Sequence, residues 1–164
     1  MSTIKKYISR FLPVVLAEAH CDIPCGIYDP TPAKIAAKTV QRMVMQLREL
    51  APPKDWNEGE ERLAYFNSVA RRIKVKEDHA ELVKRELQIL WPDYFKPEHL
   101  EVYPDLHEKF WKALKLASKN KQDIDEDAAK ELVEAVDEIA KIFYETKKDP
   151  RRFDSYRDVT DKLF

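Results

Sequence analysis

From Thr31 onward, apolar residues recur every three or four positions among charged ones, the spacing of amphipathic helices, and prolines and polar runs break the pattern into segments. Thr31-Pro32 predicts an N-cap with proline at the first helical position, followed by Ile35, Val40, Met43, Val44, Leu47 and Leu50 up to "APP". A second helix is predicted from the capping pair Asn57 and Glu60 through Leu63, Phe66, Val69, Ile73, Ala80, Val83, Leu87 and Leu90 to Trp91. Pro92 and Pro97 bracket "PDYFKPEHLEVY", read as a loop. Pro104 can then open a third helix through Leu106, Phe110, Leu114 and Ala117. After the polar turn "SKNKQD", a fourth helix from about Asp123 to Lys147 carries Ile124, Leu132, Val136, Ile139 and Phe143 on one stripe. Four amphipathic helices with short connections predict an all-α, up-down four-helix bundle over 31–148. The tail, 149–164, is too polar for core and reads as a short docked helix at most. No internal repeat is visible.

Composition narrows the function classes. A chain of 164 residues is about one domain long and buries a real core. With 44% hydrophobic and 36% charged residues but only 2 glycines, helix is the default. The charges nearly cancel, net -1, and are interspersed, so nucleic acid and acidic membranes are not expected partners. No apolar run approaches the ~20 residues of a membrane-spanning helix.

The start of the chain departs from this pattern. Met1 to Ala19 places Lys5, Lys6 and Arg10 before "FLPVVLA" and ends in Ala-Glu-Ala, the layout of a secretory signal with its cleavage site. The apolar run is short and contains Pro13, which argues against export. An ordinary N-terminal helix fits as well, and so does a leader removed to leave His20 as the new N-terminus. Next comes "HCDIPCGIYDP", His20 to Pro30, which holds both cysteines, one of four histidines and one of two glycines. Two thiolates and an imidazole on a turn-forming segment suit a soft or borderline transition metal. The spacing of Cys21 and Cys25 serves equally a metal, a dithiol switch or a loop-closing bridge, and does not choose among them. His79, His99 and His107 fall on predicted helices or connections and read as surface or packing residues.

His20-Cys21-Asp22-x-Pro24-Cys25-Gly26-x-Tyr28-Asp29-Pro30 resembles the nickel hook of the nickel superoxide dismutases, and the stretches Lys76 to Phe110 and Ile139 to Lys148 are also similar to that family. The resemblance implies a bundle assembled as a homohexamer and a hook that begins the mature chain once a processing protease removes residues 1–19. It implies metal ligands His20, Cys21 and Cys25: both thiolates, the His20 amine and the Cys21 amide nitrogen in a plane, with the His20 imidazole axial. Nickel(III) needs such strongly donating ligands, and the amine exists only if residue 20 is the N-terminus. The motif therefore lies near the start because it must become the start. Asp22 and Tyr28 are implied beside the open face, where they restrict access and hold substrate or water.

The implied activity is disproportionation of superoxide, with nickel as cofactor, in the cytoplasm. Lys96 in "DYFK" is a candidate to steer the anion. The competing function is a non-catalytic helical bundle whose cysteine pair stores metal or switches between dithiol and disulfide. One departure from the family stands out. Where better-known members hold the axial imidazole with a glutamate on the first helix and an arginine on the second, this chain has Ala36 and His79. The expectation is that His79 orients the His20 ring directly or through a water.

Overall fold

The computed structural model describes residues 27–164. Six helices follow in order: α1 (Thr31–Arg48), α2 (Gly59–Asp93), α3 (Pro97–Val102), α4 (Leu106–Gln122), α5 (Glu126–Thr146) and α6 (Pro150–Thr160). No strand occurs among the described residues. The four long helices close a ring in which α1 and α4 each pack on both α2 and α5, the bundle that the periodicity predicts. Val40, Val83, Leu87, Leu106, Leu132, Val136 and Ile139 are wholly buried along its axis.

Four expected core residues are exposed instead. Leu63 (69%) and Phe66 (53%) lie on the first turns of α2. That helix has 35 residues against 18 for α1. At ~1.5 Å per residue its start outruns the helices it packs against. Ile124 precedes the α5 cap, and Ile35 faces outward because the inner face of α1 is taken by Ala33, Ala36, Ala37 and Val40.

Local chemistry sets the helix ends. Asp125 caps α5 by accepting from the backbone N–H groups of Asp127 and Ala128, both at 3.0 Å. At α1 the acceptor is Asp29, whose Oδ1 receives the Thr31 N–H at 2.9 Å and the Thr31 hydroxyl, so the cap precedes the residue predicted for it. Asn57 does not cap α2: its N–H and side-chain amide donate to Asp55, and the helix starts after Glu58. The predicted loop after Pro92 contains α3, because Pro97 at its first turn is preset for helix while Phe95 is drawn into the core against Phe110 at 5.5 Å.

Two lysines are buried. Lys34, on the first turn of α1, pairs with Asp137 of α5 at 2.5 Å and with Asp161 at 3.1 Å. The Lys76 ammonium closes the end of α4, donating to the carbonyls of Lys121 at 3.0 Å, Asp123 at 2.9 Å and Asn120. Burial holds the Lys76 pKa below its usual value, with Glu77 and Asp123 opposing. A cation at a helix C-terminus meets both the unpaired carbonyls and the negative end of the dipole.

Beyond α5 the chain reverses. The Lys148 N–H donates to Glu145 at 3.0 Å and the Asp149 N–H to Tyr144 at 3.0 Å, with Lys148 at φ 58. This pair of bonds around one left-handed residue is a Schellman turn. It sends α6 back onto α5 and α1, where Tyr156 (5% exposed) and Thr160 are buried.

Candidate metal centre and the root of the hook

His20, Cys21, Asp22 and Cys25 lie outside the described residues. Tyr28 lies within them and marks where the hook meets the bundle. It is half-buried, with its ring 5.8 Å from that of Tyr94 at the end of α2. Tyr94 is itself held rigidly: its ring lies 4.4 Å from Phe143, and its hydroxyl is 2.7 Å from Thr146 Oγ1. The single Thr146 hydroxyl proton goes to the Phe143 carbonyl at 2.7 Å, so Tyr94 is the donor to Thr146. Burial raises the Tyr94 pKa, against the pull of the Thr146 bond.

Asp29 anchors the next step of the chain. Besides Thr31, its carboxylate accepts from the buried Tyr144 hydroxyl at 3.1 Å and has Arg152 Nη2 at 3.6 Å. Burial and the nearby Asp29 charge push the Tyr144 phenol up to about 12. Pro30 is buried, and the Lys34 N–H donates to its carbonyl at 3.1 Å. From Tyr28 to Lys34 the chain is therefore fixed by an aromatic contact, a four-partner carboxylate and a buried ion pair. A cleft of about 200 Å³ opens beside this root, lined by Ile27, Tyr28, Pro32, Glu86, Ile89 and Leu90.

The other expected residues fall around the bundle. The half-buried His79 on α2 has Nδ1 2.9 Å from the Val75 carbonyl, so Nδ1 carries a proton and Nε2 is the acceptor of the neutral ring. Ala36 is wholly buried in the core. Lys96 is exposed at the start of α3, and its N–H donates to His99 Nδ1 at 3.1 Å. His99 stacks 5.8 Å from Tyr94, and His107 lies 5.4 Å from Trp91. Sequence reasoning missed Lys147, whose Nζ lies 5.1 Å from the Tyr94 ring and so adds a cation near the hook root. It missed Tyr144 as well. The signal for Asp29 was present in "DPT", where an aspartate two residues before threonine invites a local side-chain turn.

Among the described residues no group of three or more His, Cys, Asp or Glu side chains is placed to hold a metal ion. The expected donors, His20, Cys21 and Cys25, precede Tyr28 in the sequence.

Comparison with known proteins agrees with the motif. Residues 15–147 match the nickel-containing superoxide dismutase family. The superoxide dismutase [Ni] of Streptomyces seoulensis is 38% identical over 141 residues, covering 84% of this chain and 95% of that protein. The superoxide dismutase [Ni] of Streptomyces coelicolor is 38% identical over 138 residues with the same coverage. The native nickel superoxide dismutase structure superposes with a TM-score of 0.67 at 36% identity, over 79% of this chain and 99% of that one. On these matches, the chain belongs to the nickel-containing superoxide dismutase family.

Proposed function

We infer that the chain converts superoxide to oxygen and hydrogen peroxide, using nickel, once it has been cut before His20. The observation that carries this reading is family membership over residues 15–147, a span that includes the complete hook motif. One superoxide gives up an electron and leaves as oxygen; a second takes up that electron and two protons and leaves as hydrogen peroxide. Bound nickel supplies the one-electron couple between these halves. His20, Cys21 and Cys25 would hold it, the thiolates by donating charge that favours the higher oxidation state.

The protein's own groups do the rest. Asp22 and Tyr28 limit access and orient substrate or water, and Tyr28 suits that role because Tyr94 and the Asp29 anchor fix the backbone on which it sits. Protons come from water, a cysteine thiol or the surroundings of Tyr28. Lys96 and Lys147 supply positive charge that attracts a small anion. The non-catalytic alternative, a metal store or dithiol switch, is set aside because the family matched over residues 15–147, a span that includes the hook motif, is that of the nickel-containing superoxide dismutases.

The reading extends to assembly and processing. A homohexamer is supported by large apolar side chains left exposed on the single chain, among them Trp56 (49%), Leu63 (69%) and Trp111 (59%), which a subunit contact would cover. Removal of residues 1–19 by a protease is supported by the chemistry of the His20 amine. A cytoplasmic location is supported by the poor fit of the leader to an export signal.

Intact mass and metal analysis of protein from its native host test the reading. A chain starting at His20 with one nickel per subunit is expected. A chain retaining Met1 and free of nickel would overturn it.

A further inference from the structure

Residues 150–164 lie beyond the segment that matches the family, which ends at residue 147. They run back along the first half of α1 and touch it repeatedly. Arg152 reaches Asp29 at 3.6 Å, Asp161 reaches Lys34 at 3.1 Å, and the Phe164 ring lies 4.1 Å from Lys38 Nζ. The inner face of α6 covers Tyr144: Phe153 and Tyr156 lie 6.3 Å and 5.8 Å from its ring. Tyr156 is pinned in turn, its hydroxyl donating to Asp137 at 2.8 Å, the same carboxylate that holds Lys34. Among the described residues, the two groups that reach Asp29 from outside its own turn, Tyr144 and Arg152, are thus packed beneath α6 or carried on it.

We propose that α6 is a strap that fixes the root of the N-terminal hook, with Tyr144 and Arg152 as positioning residues acting through Asp29. By holding that carboxylate they set the direction in which the chain leaves α1 toward Tyr28 and the nickel-binding segment. The role of this segment rests on the nickel reading above; the fixing of Asp29 does not. Neither group is expected to touch substrate. Tyr144 is the stronger of the two, being buried and directly hydrogen-bonded, whereas Arg152 is 65% exposed and separated by a longer contact.

The Thr31 amide is a direct reporter, because its proton is held by Asp29 Oδ1. Hydrogen exchange is measured in the metal-free full chain, wild type, Arg152→Ala, Arg152→Lys and Tyr144→Phe, with core amides of α5 as the reference for global opening. Arg152→Ala should speed Thr31 exchange about two- to fivefold, and Tyr144→Phe about fivefold or more, with the α5 core unchanged. Arg152→Lys should recover the wild-type rate. In nickel-loaded chain starting at His20, Arg152→Ala should broaden the nickel(III) electron paramagnetic resonance signal at full metal content, with Arg152→Lys again restoring it. Wild-type exchange at Thr31 in both Arg152→Ala and Tyr144→Phe would overturn the strap. If the wild-type chain starting at His20 binds no nickel, the functional reading fails, while the metal-free exchange still decides whether α6 holds the root.

Discussion

The Tyr144 hydroxyl donates to Asp29 across 3.1 Å, joining the last long bundle helix to the penultimate residue of the hook motif. Tyr144 is 2% exposed and belongs to the core cluster, so a single buried phenol ties core packing to the position of the N-terminal segment. Its proton is what makes the contact attractive, since a phenolate would face the Asp29 carboxylate.

Alkaline pH should therefore loosen the root before it unfolds the bundle. The Tyr144 pKa is raised from 10.0 to about 12, by burial first and by Asp29 second. A group whose pKa is raised on folding contributes stability that is complete below its unfolded value and is lost as pH rises through its folded value. The window here is thus about pH 10 to about pH 12, with a loss on the order of 2 kcal/mol. Thermal unfolding across that range, compared with Tyr144→Phe, checks it. The variant should start less stable and lose less; parallel curves would show that Tyr144 does not carry the effect.

The Schellman turn that launches α6 offers a second test. Lys148 occupies a left-handed conformation, φ 58, that glycine adopts without strain. Lys148→Gly should stabilise the chain by about 1 kcal/mol, the usual cost of a side chain in that region. Equilibrium urea unfolding measures it, and a destabilised variant would mean that the Lys148 side chain contributes more than its backbone costs.

The bundle was legible because its signal is periodic. Val40, Val83, Leu87, Leu132, Val136 and Ile139 repeat at helical spacing and all reach the core. What stayed hidden depends on tertiary partners. Nothing in the sequence sets Lys34 and Lys76 apart from the other lysines, and only the arrival of Asp137, Asp161 and the end of α4 offsets the cost of their burial. Tyr156 sits in a segment with almost no apolar neighbours, so no stripe announces it. The Leu63 and Phe66 positions carry the right period but stay exposed among the described residues. The hook was legible for a different reason: its residue types are fixed by ligand chemistry, and its root by "DPT", yet the two partners that hold Asp29 lie more than a hundred residues away.

If Cys21 and Cys25 are the proposed thiolate ligands, both should be indispensable, whereas a structural cysteine tolerates serine with modest loss. Cys21→Ser and Cys25→Ser in chain starting at His20 should each abolish the sulfur-to-nickel absorption and the turnover of superoxide. The bundle is assembled from helices that begin at Thr31, so far-ultraviolet circular dichroism should barely change. Retained turnover in either variant would exclude the assigned ligands.

His79 tests how this chain would orient the imidazole of His20, the proposed nickel ligand. The glutamate and arginine that the resemblance leads one to expect are replaced by Ala36, wholly buried and without a donor or acceptor on its side chain, and by His79. The His79 ring has one nitrogen committed to the Val75 carbonyl at 2.9 Å, which leaves Nε2 of the neutral ring as an acceptor. A neutral His20 imidazole that binds nickel through one nitrogen has an N–H on the other, the complementary donor. The proposal is that Nε2 of His79 receives that proton, directly or through a water. His79→Ala should then weaken axial ligation, shift the nickel(III) electron paramagnetic resonance spectrum and lower turnover while nickel content stays full. His79→Gln, whose side-chain carbonyl can accept, should restore part of both. An unchanged spectrum in His79→Ala at neutral pH would assign the orientation of His20 to another group.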